Sequence, residues 1–102
     1  MAVLMEFAMF PTDKGISVSE YVSKVVAMIR QSGYDYQLTP MGTIVETPTI
    51  EKALEIVHNA YQTLAPFSER VYATIKLDIK KGQKGMMKQK IASVEQKIGK
   101  VN

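Results

Sequence analysis

Glu46 ends the run Gly42-Thr43-Ile44-Val45-Glu46, a carboxylate among residues that otherwise suit a buried strand. An unpaired charge in such a place is costly, so another residue or a ligand must pair with it. Glu6 and Asp78 lie in comparably apolar runs, and paired carboxylates are one way to do acid–base work on a small molecule. Other chemistries are ruled out by what is missing. There is no cysteine, hence no disulfide or thiolate, and His58 is the only histidine. A lone histidine without spaced acidic partners makes neither a metal site nor a nucleophilic triad. Ser17 has the position of a helix cap, and Gly82 to Gly85 lacks the spacing and the Lys-Ser/Thr ending of a phosphate loop. No catalytic residue, metal ligand or cofactor is therefore assigned.

A chain of 102 residues with 46% apolar and 23% charged side chains is one soluble domain with one core. The apolar run Val3 to Phe10 is too short to span a bilayer and lacks the flanks of a signal peptide, so a cytoplasmic protein is expected. The net charge of +3 is uneven. From Lys76 onward eight lysines face only Asp78 and Glu95, which leaves the last 27 residues at +6 and the first 75 at −3. Such a tail is either an anion-binding patch or the solvated face of a terminal helix. No aromatic is interleaved with these lysines to stack on bases, which favours the solvated face.

The elements that hold these residues follow from periodicity. Residues 2–10 read as a central strand, and Pro11 ends it. Ser17-Val18-Ser19-Glu20 has capping-box spacing, and Val18, Val22, Val25, Val26 and Ile29 recur at helical intervals, predicting a helix over 18–32 with Gly33 as its stop. Strands at roughly 35–39 and 43–47 flank a Pro40-Met41-Gly42 turn, where Gly is expected to supply positive φ. Thr47-Pro48-Thr49 starts a second helix whose buried face is expected to be Ile50, Leu54, Val57, Tyr61 and Leu64. Val71, Ala73, Ile75, Leu77 and Ile79 then alternate with polar residues in the clearest strand of the chain. Residues 83–102 are read as a C-terminal helix with a narrow seam of Met87, Ile91, Val94, Ile98 and Val101, suited to docking on another subunit. The order is βαββαβ plus one helix: an α+β chain, a single ferredoxin-like domain over 1–102, with a four-stranded antiparallel sheet and two helices on one face.

Parity along the strands then states what the other face holds. Val3, Met5, Phe7, Met9, Val45 and the row Val71 to Ile79 belong under the helices. The open face carries Glu6, Glu46, Asp78, Lys76 and Thr74 among Leu4, Ile44, Phe10 and Tyr72. That mixture predicts assembly of a homo-oligomer through paired polar groups. Glu46 is then either a ligand contact or half of an inter-subunit ion pair, for instance with Lys76.

Ser17-Val18-Ser19-Glu20-Tyr21-Val22, Ser32-Gly33-Tyr34-Asp35-Tyr36, Pro40-Met41-Gly42-Thr43-Ile44-Val45-Glu46, Glu69-Arg70-Val71 and Ile75-Lys76-Leu77-Asp78 together resemble the thiamine-binding, YkoF-like family of small proteins. Gly85-Met86-Met87 through Glu95 is similar to one branch of it, and Thr47 departs from the glycine common there. The resemblance implies a ferredoxin-like fold, dimers joined into tetramers, and non-catalytic binding of thiamine or its hydroxymethylpyrimidine part. It implies Thr43 and Glu46 as ligand contacts, with Tyr36 and Asp78 beside them. An aminopyrimidine offers an amine donor next to a ring-nitrogen acceptor, which a carboxylate such as Glu46 can serve. Tyr72 or Phe10 would stack on a flat ring, and Glu6 and Asp78 would supply a negative field for a cation. Parity nevertheless aims Thr43 at the helices, which suits a structural role.

The expected ligand-binding set is thus Glu46, Thr43, Tyr36, Asp78, Glu6, Tyr72 and Phe10. The partners expected are a small molecule and further copies of the chain, without nucleic acid or membrane. An RNA-binding or other protein-interaction module of the same topology is the alternative, although the chain lacks the Lys/Arg-Gly-Phe-type motif that such RNA modules use. An acid–base enzyme built on Glu6 and Glu46 has no nucleophile or reaction to assign.

Overall fold

The computed structural model describes residues 1–82 and 84–102. Its elements are β1 (Ala2–Pro11), α1 (Ser19–Ser32), β2 (Tyr36–Thr39), β3 (Gly42–Thr47), α2 (Ile50–Leu64), β4 (Val71–Lys80) and α3 (Met86–Ile98). The strands lie in the order β2-β3-β1-β4, every neighbouring pair antiparallel. This is the expected plait, an α+β fold with α1 and α2 packed against one sheet face.

Val3, Met5, Phe7 and Met9 project from β1 into a core closed by Val45, Val25, Ile29, Ala53, Ile56, Ala60 and Leu64. The buried face of α2 is rotated from the expected one. Ala53, Ile56, Ala60 and Leu64 face the sheet, while Leu54 and Tyr61 are about half exposed. Two alanines at the contact bring the helix close to the strands, and that closeness turns the bulkier stripe toward the rim. The start of α1 also differs. Val18 is its N-cap without a side-chain bond, and the Val18 carbonyl accepts from Tyr21 and Val22 instead of a capping box forming. Gly33 does end α1 in the left-handed region, at φ 84°.

Thr47 is buried and its hydroxyl donates to the Thr49 carbonyl at 2.8 Å, while the Thr49 side chain caps α2 by accepting from the Lys52 amide. The threonine at 47 thereby fastens the end of β3 to the start of α2, a tie that glycine has no side chain to make. In the hairpin, Gly42 has no positive φ, contrary to expectation. Its requirement is space: a Cβ there would stand 3.0 Å from the Phe7 carbonyl oxygen on β1. Thr39 supplies the rest of the turn, its hydroxyl donating to the Gly42 carbonyl at 2.8 Å and accepting from the Gly42 amide at 3.1 Å.

Ile75, Leu77 and Ile79 register opposite Phe7, Met5 and Val3, so their parity is as expected. They are not under the helices. At 41%, 38% and 45% exposure they form an open apolar row on the edge strand. The helices sit over β1 and β3, and of the expected β4 row Val71 packs against the core. The expected start of the last helix at residue 83 lies outside the described residues, and α3 itself is shorter, beginning at Met86. Met86, rather than Met87, is its buried anchor; Ile91, Val94 and Ile98 remain exposed.

Candidate ligand-binding face

Antiparallel registration sets the open face residue by residue. Leu4 stands between Glu46 and Asp78, Glu6 between Ile44 and Lys76, and Phe10 beside Tyr72. Five expected site residues, Glu6, Phe10, Glu46, Tyr72 and Asp78, therefore share one surface. Thr43 and Tyr36 project from the opposite surface, because Thr43 registers with Phe7 and Tyr36 with Val45. A single pocket cannot gather all seven through the sheet. Thr43 is buried beside Phe7, Met9, Val22 and Val25 in an apolar cavity of about 260 Å³. Tyr36 packs on the core and its hydroxyl accepts from Arg30 Nε at 3.0 Å.

Glu6 accepts from Lys76 Nζ at 2.8 Å, and this bond holds the Lys76 ammonium above the ordinary lysine range. Both groups are substantially exposed, so the pair contributes little to stability. Asp78 pairs with Lys90 of α3 at 2.5 Å. Lysines thus offset the field expected from Glu6 and Asp78. Beside these pairs lies a shallow groove of about 180 Å³, lined by Leu4, Ile44 and Leu77 with Glu6, Lys76 and Asp78. Phe10 and Tyr72 form a tilted pair further along the two strands, ring centroids 6.0 Å apart.

Glu46 is different. Neither alternative of the sequence reading describes its partner in this chain. Oε2 accepts from the Gly85 amide at 2.7 Å and Oε1 from the Met87 amide at 2.9 Å. These are two of the unsatisfied donors at the start of α3, where the positive end of the helix dipole also lies. Gly85 has no side chain with which to cap them, and Glu46 performs that task from β3. Met86, between the two donors, is only 2% exposed. Gly85 and Met87 were absent from the expected site set. Their signal in the sequence is the lack of Ser, Thr, Asp or Asn ahead of an obvious helix, which leaves its first amides needing an acceptor from elsewhere. Because its partners are neutral amides, Glu46 is the acid of this face whose charge meets no side-chain cation among the described residues. Among those residues no cluster of three His, Cys, Asp or Glu side chains is placed to hold a metal, and no helix is long and apolar enough to cross a membrane.

Residues 5–95 match the model of a family described as thiamine-binding protein. The UPF0045 protein Mb1933 of Mycobacterium bovis is 35% identical over 95 residues, 93% of each chain. Among solved structures, the hypothetical protein MJ1052 of Methanocaldococcus jannaschii superposes with a TM-score of 0.82 at 26% identity, over 91% of this chain and 95% of that one. TM0486 of Thermotoga maritima, proposed to be a thiamine biosynthesis or salvage protein, superposes with a TM-score of 0.80 over 92% of this chain and 99% of its own. At 20% identity that likeness bears on the fold alone.

Proposed function

Because this chain belongs to the thiamine-binding protein family, we propose that it binds thiamine, or the aminopyrimidine part of it, in the cytoplasm and without catalysis. The observation that carries the reading is Glu46: a half-buried carboxylate, with no side-chain cation opposite among the described residues, whose two oxygens already receive two N–H donors side by side. An aminopyrimidine protonated on the ring nitrogen beside its amine presents the same pair of donors, and the thiazolium adds a positive charge that Glu46 favours. The apolar walls Leu4 and Ile44 and the rings of Phe10 and Tyr72 lie along the same face for the flat part of the ligand.

The reading includes assembly as a dimer of dimers. It is supported by the uncovered row Ile75, Leu77, Ile79 on β4 and the uncovered Ile91, Val94, Ile98 on α3, more apolar surface than a soluble monomer comfortably shows.

Calorimetric titration of the whole chain tests the ligand. Thiamine gives saturable heat, and oxythiamine, which carries a carbonyl where thiamine has the amine, gives at least tenfold weaker binding. Equal affinity for the two, or no heat at millimolar thiamine, counts against the proposal. One observation favours a second locus: Thr43 lines the 260 Å³ cavity on the helix side, large enough for a pyrimidine ring. If that cavity is the site, Thr43→Val weakens thiamine while substitutions on the open face do not.

A further inference from the structure

We propose that Glu46 is a latch that holds α3 against the open face, and that a ligand taking up Glu46 releases the helix. The inference rests on the ligand reading above for its second half only.

The first turn of α3 is where the helix is held. Gly85 and Met87 donate to Glu46, Met86 is buried between them, and Lys90 reaches Asp78 one turn later. Beyond that point little fastens it: Ile91, Val94 and Ile98 are exposed, Ile98 at 73%. On its N-terminal side the chain passes through Gly82 and Gly85, both at positive φ, conformations that only glycine adopts without strain. A helix joined through glycines and pinned by one turn belongs to the least stable cooperative unit of a small domain, and it opens without unfolding the sheet.

The chemistry of the pin makes the two states exclusive. Each Glu46 oxygen accepts from one backbone amide at the start of α3, and Met86, which stands between those two residues in the chain, is buried. A ligand that meets both oxygens at once with two adjacent donors needs the edge of the carboxylate that those amides hold, and so displaces them. The apparent affinity for ligand is then reduced by the fraction of molecules with α3 docked, and α3 becomes mobile as ligand binds. An acid elsewhere on the face does not have this property, since Glu6 and Asp78 pair with lysine side chains that can swing aside.

Residue-resolved amide hydrogen exchange on the full chain tests the latch without any ligand. Glu46→Gln keeps the shape but loses an acceptor and the charge; exchange at the amides of Gly85 to Lys90 is expected to rise about tenfold, with β1 and β3 unchanged. Unchanged exchange in α3 overturns the latch. With thiamine as the probe, wild-type exchange in the same segment is expected to accelerate. The variant Met86→Asp, which puts a charge where the first turn of α3 is buried, is expected to bind thiamine several-fold more tightly because the helix is already displaced. Binding of thiamine that slows these amides, or that leaves them and the Met86→Asp affinity unchanged, overturns the release. Loosening of α3 in Glu46→Gln together with no thiamine binding by wild type or Met86→Asp sinks the ligand reading and leaves the latch standing.

Discussion

Gly42 shows how a single atom can decide a position. Its backbone is one that any residue adopts, yet an added Cβ would press on the Phe7 carbonyl of the central strand, which is fixed by pairing on both sides. Gly42→Ala is expected to lower stability by about 1–3 kcal/mol in urea unfolding, the usual cost of overpacking where the neighbour cannot yield. Asp13 acts through charge. It accepts from Ser68 Oγ at 2.6 Å and from the Glu69 amide at 2.9 Å, joining the loop after β1 to the loop before β4, and these bonds hold its carboxyl below the usual range. A lowered folded value means that the contribution is complete above the unfolded value near 3.8 and fades as pH falls through the folded one. The difference between urea midpoints at neutral pH and at about pH 3 is accordingly expected to shrink in Asp13→Asn. Neither Gly42 nor Asp13 announces its role in the sequence. The contact of Gly42 is with a strand 35 residues earlier, and Asp13 bonds to residues 55 and 56 positions away.

Among the elements, the strands were the most legible. Period-two alternation in Val71 to Lys80 fixes which side chains share a face, and the registration with β1 agrees with it at every position. The helices were less so. In α2 apolar residues occupy enough of the circumference that two stripes compete, and the small residues Ala53 and Ala60 decide between them by allowing closer approach. A count that weights bulky side chains selects Leu54 and Tyr61, which lie at the rim. The partner of Glu46 was illegible for another reason. Its donors are backbone amides 39 and 41 residues further along, and an amide has no residue type to be read. What the sequence did state was the need: a strand acid without an obvious partner, and a helix start without a cap. Five of the seven expected site residues share the open face by parity, and the same parity already separated Thr43 from them.

At the scale of the molecule, two apolar strips are uncovered, the β4 row with the parity of the helix-bearing face and the α3 row on the helix held at the other face. Leu77 is 38% exposed in the single chain, so Leu77→Lys is expected to change the stability of one chain by under about 0.5 kcal/mol. If β4 is a seam between copies, the same substitution converts the assembled species to single chains in native mass spectrometry. Retention of the assembly by the variant would place the seam elsewhere. The outer rim of β4 has a further consequence. Ten residues of backbone there face no neighbouring strand among the described residues, and a bare hem of that length is a template on which an extended peptide can stitch. Lys80 and Lys81, exposed where the hem ends, have the charge and the place of gatekeepers against unwanted stitching.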